Sequence, residues 1–587
     1  MENSLIVKSK IKQVILTVVI SFIFSIIMST KVVITESVKI VFNSFQVFWV
    51  LILSCYILPK IYGANNKRRS IIILLFSAVL AFCQSCGKLL DNDMSVVDNL
   101  LPVAIIFLQT LGLAYVVITI IYSFIDNLLN KVENEEKTRK VSIVKDFIIP
   151  LCIFIVAYIP FFISNFPGIL SYDSIDQSAQ AIGLYPLNNH HPVTHTLLIK
   201  LFIKLGSFIK HENLGVAMFS CFQMFALSAT FAYTIYYMRK KSFNKYFILL
   251  AFLFYALYPV HSFYSVTMWK DIPFAICITL LVISLVELIS NKTKFFSSKR
   301  KMIILSIVVL FTMLFRNNGL YVILILFFVL AIVYRKNIIK MSLIFIVPLV
   351  IYFVYTGPIF KAFGIKSGSI VEALSIPLQQ MARISKECSN ELTQEEKEEI
   401  YLYIPVENLG ELYNPRLSDH VKSNADAKYI SDNKIEFVKS YFKFAIKYPK
   451  QTIEAFLYNS YGYYYPEASN WVVMRWISSN NEDVHIYDAS RVNLMYVKAM
   501  NWLINQDIPI IDLAFSIGFN MWIVFGLVAY LIDKKIYNNI LVLIPVFGVW
   551  LTVLASPVYC EYRYIYSLFT SLPVLISTIF VRRNNNG

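Results

Sequence analysis

The stretch HPVTHTLLIKLFIKLGSFIK, residues 191–210, decides how the whole chain is threaded. Its leucines and isoleucines are numerous enough for a membrane crossing. His195, Lys200, Lys204 and Lys210 interrupt them, which is the pattern of an amphipathic helix lying in the membrane interface. The basic loops choose between the two readings. If 191–210 crossed, MRKKSFNK at 238–245 and every later basic loop would change sides. If it lies flat, KSKIK near the start, NKRR at 66–69, the 131–145 segment, MRKKSFNK, NKTKFFSSKRK at 291–301, YRKNIIK at 334–340, DKK at 533–535 and the final VRR share one face. That is the positive-inside signature of a cytoplasmic side, and it makes 191–210 a juxtamembrane helix.

Composition gives the same class. Of 587 residues, 57% are hydrophobic and only 15% are charged, against roughly 25% in ordinary soluble domains. The chain reads as an all-α polytopic membrane protein. Candidate spans fall at 14–28, 45–58, 71–82, 101–121, 147–163, 214–238, 246–257, 272–289, 302–315, 320–334, 341–355, 513–531, 540–554 and 564–581. That is about fourteen transmembrane helices, several of them shorter than the usual ~20 residues. Both termini are expected in the cytoplasm. MENSLIVKSKIKQ followed by VILTVVISFIFSIIM reads as a first span and not as a cleavable leader, because no small-residue cleavage site ends the apolar run.

The division expected is a transmembrane module at 1–125, a core of spans and outer loops at 147–355, a mainly helical extracytoplasmic domain at 357–508, and closing transmembrane helices at 509–587. LTQEEKEEI at 392–400 carries a capping box, Thr393 with Glu396, and EFVKSYFKFAIKY at 436–448 has helical apolar spacing. The net charge of +16 resides in the short cytoplasmic loops, so nucleic acid is not an expected partner. The eight cysteines lie mostly inside apolar runs; Cys83 and Cys86 are a close pair without the second pair or histidines that a zinc site needs.

Chemistry collects on the outer face, where all seven histidines fall. Five loops meet there: SNFPGILSYDSIDQSAQAIGLYPLNNHHP, YPVHSFYSVTMWKD, the FRNNG hairpin at 315–319, the long 357–508 loop, and SPVYCEYRY at 556–564. Asp173 and Asp176 are three apart and share a face if helical. A carboxylate beside a lipid headgroup zone can act as general base or hold a divalent cation; the bland alternative is that either acid caps the helix SIDQSAQAI. His190 and His191 before Pro192 can donate to a phosphate at the membrane surface, or merely cap. Trp269, Lys270 and Asp271 stand at a membrane entrance, either as interfacial anchors or as site residues. Arg316 and Arg563 lie on the side that the positive-inside bias disfavours, and a guanidinium fork suits a phosphate. Tyr172, Gln177, Asn317, Asn318 and Tyr562 line the same motifs.

A long first outer loop with an early aspartate, an HHP start to an interfacial helix, a span ending in RKK and a polar outer turn before the next helix resemble, over roughly 147–355, the GT-C superfamily of polytopic glycosyltransferases. YDSIDQ, HHPVTHTLL, WKDIPFA, FRNNG and EYRYIY are similar to a group of bacterial membrane proteins of this type. The resemblance implies a GT-C-like core in a bacterial cell membrane. It also implies transfer of a sugar from a polyprenyl-phosphate donor to an acceptor on the extracytoplasmic face, with inversion at the anomeric carbon. The acceptor is a cell-envelope glycan, a glycolipid or a protein. Asp173 is then the base, with Asp176 second and Asp271 a further catalytic candidate; His190, His191, Lys270, Arg316 and Arg563 surround the donor phosphate. Lys270 stands where the family often has an acid, which leaves metal dependence and any divalent cofactor undetermined. No nucleotide motif is present. Two alternatives share the polar outer face: a transporter or flippase of a lipid-linked glycan, and a polymerase or ligase joining whole lipid-linked glycans.

Overall fold

The computed structural model describes residues 17–34, 38–64, 66–132, 141–209, 211–475, 486, 489–505, 508 and 510–581. Helix dominates, as the apolar runs require: in a hydrocarbon environment each backbone donor and acceptor must be satisfied within its own segment. The exception is a hairpin. Between α1 (Thr17–Met28) and α2 (Ser44–Ala64), strand β1 (Thr30–Ile34) pairs antiparallel with β2 (Val38–Phe42), Thr30 opposite Phe42 and Ile34 opposite Val38. TKVVI and VKIVF are rich in β-branched residues, which pack well on a pleated surface and poorly in a helix. This hairpin is a local exception within an all-α chain.

The chain continues through α3 (Lys67–Asp91), α4 (Leu100–Val132), α5 (Ile149–Ser164), α6 (Asp173–Ile182), α7 (Val193–Phe208), α8 (Glu212–Lys240), α9 (Lys245–Leu257), α10 (Pro259–Ser265), α11 (Asp271–Ser290), the short α12 (Lys292–Ser297), α13 (Lys299–Phe315), α14 (Gly319–Val333) and α15 (Ile338–Val354). Eight helices among the described residues are long and apolar enough to cross a membrane, or nine if α9 and α10, bent by 50° at Tyr258–Pro259, make one broken crossing. The multi-pass membrane reading therefore stands. The shorter apolar helices Thr17–Met28, Gln46–Ile57, Gly319–Val333 and Ile517–Asp533 fall on four further expected spans.

The deciding stretch is a helix, α7, and not a long one. Its 16 residues reach about 24 Å at ~1.5 Å each, short of the ~30 Å hydrocarbon core. Leu197, Leu201, Leu205 and Phe208 are exposed at helical spacing, whereas His195, Thr196, Ile199 and Ile203 are buried. His195 is thus part of the packed face and not an interruption facing solvent. The turn back into α8 is made possible by two glycines: a Cβ on Gly206 would come within 2.4 Å of the Gly215 backbone nitrogen.

Two polar clamps join the first module to the rest. At the basic end Arg69 pairs with Asp126 at 2.8 Å and Asp533 at 2.7 Å, linking α3 and α4 to the late helix Ile517–Asp533. At the other end the α3–α4 turn meets the domain that follows α15. That domain has its own apolar core, including Leu378, Met381, Ile400, Phe437 and Phe444, under the helices Ser375–Glu387, Gln394–Tyr403, Lys434–Lys447 and Pro449–Ser460. The capping box is present, Thr393 Oγ1 accepting from the Glu396 amide and the Glu396 carboxylate from the Thr393 amide. Glu454, fully buried, accepts from Arg383 at 2.6 Å, from Ser95 Oγ at 2.5 Å and from the Val97 amide at 3.1 Å.

Candidate active site

The loop between α5 and α6 and the α10–α11 connection are bound to each other along their backbones. The Ile169 amide donates to the Val266 carbonyl at 2.8 Å, and the Met268 amide returns to Ile169 at 3.0 Å. Ser174 Oγ donates to the Met268 carbonyl at 2.7 Å and Trp269 Nε1 to the Ser171 carbonyl at 2.9 Å. From α8, Gln223 Nε2 donates to the Thr267 carbonyl at 2.7 Å. This splice sets the start of α6 beside the start of α11, and so Asp173 beside Lys270.

Neither acid of α6 is its cap: the N-cap is Tyr172, with no side-chain capping bond, and Asp173 and Asp176 lie within the first turn. Lys270 Nζ donates to Asp173 Oδ2 at 2.5 Å and to His191 Nδ1 at 2.8 Å. Arg563 Nη1 lies 3.1 Å from Asp173 Oδ1, and Arg563 Nε donates to Glu561 at 2.7 Å. Burial alone would push Asp173 up, but the Lys270 ammonium and the Arg563 guanidinium outweigh it and hold the carboxyl well below its ordinary value. His191 is pushed down by burial and then by the Lys270 charge. With Nδ1 accepting, its ring proton belongs on Nε2, which faces Asp176 Oδ2 at 3.9 Å. Asp176 is mostly exposed, at the rim.

A second pair adjoins the first. Arg316 donates to Asp271 Oδ1, whose side chain is completely buried, while Asp271 Oδ2 has no hydrogen-bond partner among the described residues. The Tyr564 ring lies between the two guanidinium groups, 4.4 Å from Arg316 and 5.0 Å from Arg563. Arg563 also faces Trp269 at 5.1 Å, and Trp471 from the segment after α15 stacks on Tyr172 at 5.5 Å, closing the cluster on that side. Tyr172 has φ of 50°, in the left-handed region that a bulky side chain occupies only under constraint; such strain, of order 1–3 kcal/mol, gathers at functional sites.

The structure therefore brings together Asp173, His191, Lys270, Asp271, Arg316, Arg563 and Tyr172, with Asp176 at the rim. Arg316 and Asp271 form a buried pair, not free interfacial anchors. Asn317 contributes indirectly, its Nδ2 donating to the Asn189 carbonyl at 3.0 Å, so the FRNNG turn holds the HHP segment. His190 is exposed and packs edge-on against His191 at 4.5 Å. Gln177 and Tyr562 do not line the cluster: Gln177 binds Thr196 and His195, and Tyr562 bonds to Tyr258 and stacks on Phe569 within the helix packing. Asn318 precedes α14 without capping it.

Sequence reasoning missed Glu561, Tyr564 and Trp471. The EYRY string offers Arg563 and Tyr562 to sequence reasoning, although an acid two residues before a guanidinium was a usable signal; nothing local marks Trp471. Among the described residues no group of three histidine, cysteine or carboxylate side chains is arranged to hold a metal ion, and in the Asp173, Asp176 and His191 group the Lys270 ammonium takes the place a cation would need. A separate cavity of 840 Å³ opens between the domain that follows α15 and the α3–α4 turn, lined by Arg383, Lys386, Tyr413, Arg416 and Tyr458 among others. Its Arg416 touches the rings of Tyr461 and Tyr559, but none of the clustered charges described above lines it.

No curated protein and no solved structure matches the chain. Residues 184–586 match the model of a family of unknown function (DUF6020). The match takes in Lys270, Asp271, Arg316, Glu561 and Arg563 and begins after Asp173 and Asp176; as it spans more than half of the sequence, the chain belongs to the DUF6020 family.

Proposed function

We propose that the protein is a membrane glycosyltransferase that moves a sugar from a polyprenyl-phosphate donor to an acceptor hydroxyl at the extracytoplasmic face. In this reading about fourteen segments cross a bacterial cell membrane in a GT-C-like arrangement, the shorter apolar helices among them, with both termini cytoplasmic. The observation that carries the proposal is the placement of one carboxylate, Asp173, against two cations, Lys270 and Arg563, beside a second buried arginine, Arg316.

The chemistry follows from that set. The acceptor oxygen attacks the anomeric carbon, its proton passes to Asp173, the bond from that carbon to the phosphate oxygen breaks, and the electron pair leaves with the prenyl phosphate. Attack from the face opposite the phosphate inverts the anomeric centre. Lys270, Arg563 and Arg316 stabilise the charge that develops on the departing group. A carboxylate held as low as Asp173 is ionised but weakly basic, and sharing its cations with the donor phosphate raises its basicity when the substrate is in place. The activity is tested by reconstituting the chain in liposomes with a lipid-linked sugar and following release of free prenyl phosphate with acceptor present. Movement of the intact lipid-linked sugar between leaflets without prenyl phosphate release would instead identify a flippase.

A further inference from the structure

Glu561 is a carboxylate of the cluster to which this reaction gives no role, and unlike Asp271, which pairs with Arg316, it shares its cation with the base Asp173. It is 4% exposed and receives Arg563 Nε at 2.7 Å. Among the described residues Arg563 is the only cation paired with it, whereas Asp173 has both Lys270 at 2.5 Å and Arg563 at 3.1 Å. One guanidinium thus serves two carboxylates, and a phosphate arriving at Arg563 puts three anions on one fork. Asp173 deprived of Arg563 still holds Lys270. Glu561 deprived of Arg563 keeps no cation among the described residues, and a lone buried carboxylate is neutralised by a proton before it is left charged.

The backbone fixes Glu561 in that position. Cys560 immediately before it has φ of 47°, just as Tyr172 immediately before Asp173 has φ of 50°. The segment after α15 supports the turn: a Cβ on Gly462 would come within 2.5 Å of the Cys560 side chain, and the Glu561 amide donates to the Tyr463 hydroxyl at 3.1 Å. Both carboxylates flanking Arg563 therefore follow a constrained residue.

We propose that Glu561 is the exchangeable counter-ion of the anion site: it holds and orients Arg563 while the site is empty, and the donor phosphate takes its place on Arg563 as Glu561 takes up a proton from solvent. This rests on the donor reading above, and Glu561 acts in it as a positioning residue through Arg563. Charge balance fits. Lys270, Arg316 and Arg563 face Asp173, Asp271 and Glu561, so protonating Glu561 leaves one positive charge, the complement of a phosphodiester. The groups around Glu561 favour the exchange. Burial first, then the Asp173 and Asp271 charges, push its carboxyl up to about 7 against the pull of Arg563. Its other titratable neighbours are the phenols of Tyr172, Tyr264, Tyr463 and Tyr564 and the Cys560 thiol. Ordinary values of about 10 for a phenol and about 8.5 for a thiol keep such groups neutral near pH 7.

The test is calorimetric titration of the full chain in nanodiscs with a farnesyl hexosyl phosphodiester, whose single charge does not change with pH. The wild type is expected to take up close to one proton per ligand at pH 8, read from heats in two buffers of different ionisation enthalpy. Its affinity is expected to fall roughly tenfold per pH unit above about 7, as linkage to one proton requires. Glu561→Gln is expected to take up none and to show a flat profile, which also excludes His191 as the proton acceptor. Equal pH slopes in both proteins, or no uptake by the wild type, overturn the exchange and leave the donor reading standing, since the ligand is bound. Absence of binding by the wild type at every pH overturns both. If Glu561→Gln does not fold, His191→Gln takes its place: proton uptake that persists in it assigns the proton to Glu561, and loss of uptake there overturns the exchange.

Discussion

Lys270 donates to Asp173 at 2.5 Å although 97 residues separate them in the chain. The pair exists because the loop before α6 and the loop before α11 share backbone hydrogen bonds, so two helix starts carry opposite charges to one point.

Replacing Asp173 with Asn keeps the shape but removes the basic oxygen. The expected loss is about 10² to 10⁴ in the rate of prenyl phosphate release. Asp176→Asn, altering an exposed rim group, should cost less than about tenfold by the same scale. Equal rates in Asp173→Asn and wild type would remove this carboxylate from the chemistry.

Arg316→Ala strands Asp271, whose side chain is fully buried, and should destabilise the chain by about 3–5 kcal/mol, as breaking a buried pair does. Arg316→Lys keeps the charge and should recover most of it. Thermal unfolding in detergent distinguishes the two variants; unchanged unfolding of Arg316→Ala would show that the pair does not hold the α11 and α13 ends together.

Stability should also carry the signature of Glu561. Its carboxyl lies at about 7 in the folded chain against an ordinary value of 4.5, so its contribution is fully present below pH 4.5 and is lost as pH rises through 7. The loss is of order 3 kcal/mol, at ~1.4 kcal/mol for each pH unit between the two values. Asp173, held low, contributes no change in that window; its contribution disappears only in strong acid. The difference in unfolding free energy between wild type and Glu561→Gln should shift by that amount from about pH 4.5 to about 7.5, while the slope from buried histidines such as His191, held low, is common to both proteins and cancels.

The orientation of the basic loops is open to direct labelling. With an impermeant thiol reagent applied from outside to cells, Ser389→Cys in the domain after α15 should be labelled above the wild-type background and Lys240→Cys should not. Both positions are exposed. Labelling at 240 would put α7 across the membrane and separate the motifs now grouped on one face.

Thr393→Ala removes one half of the capping box on Gln394–Tyr403. The expected cost is about 1 kcal/mol, read as a small drop in unfolding temperature with no change in lipid binding.

The sequence by itself determined the class, the helical segments and the sign of each loop, because apolar length, short basic loops and the Thr393–Glu396 spacing are local and are read from neighbouring residues. It also named Asp173, Lys270, Asp271, Arg316 and Arg563, since charges at the ends of apolar runs are conspicuous. Partnership was not legible. That Lys270 neutralises Asp173, that Arg316 belongs to Asp271, and that Glu561 shares Arg563 with Asp173 depend on how α6, α11, α13 and the last helix converge, and ion pairing acts through space and not along the chain. The same holds for Gln177 and Tyr562, which motif proximity assigned to the site and helix packing turned away from it. The β1–β2 hairpin was hidden for a related reason: TKVVI and VKIVF are too short to be told from the adjoining apolar runs until each strand has the other to bond to.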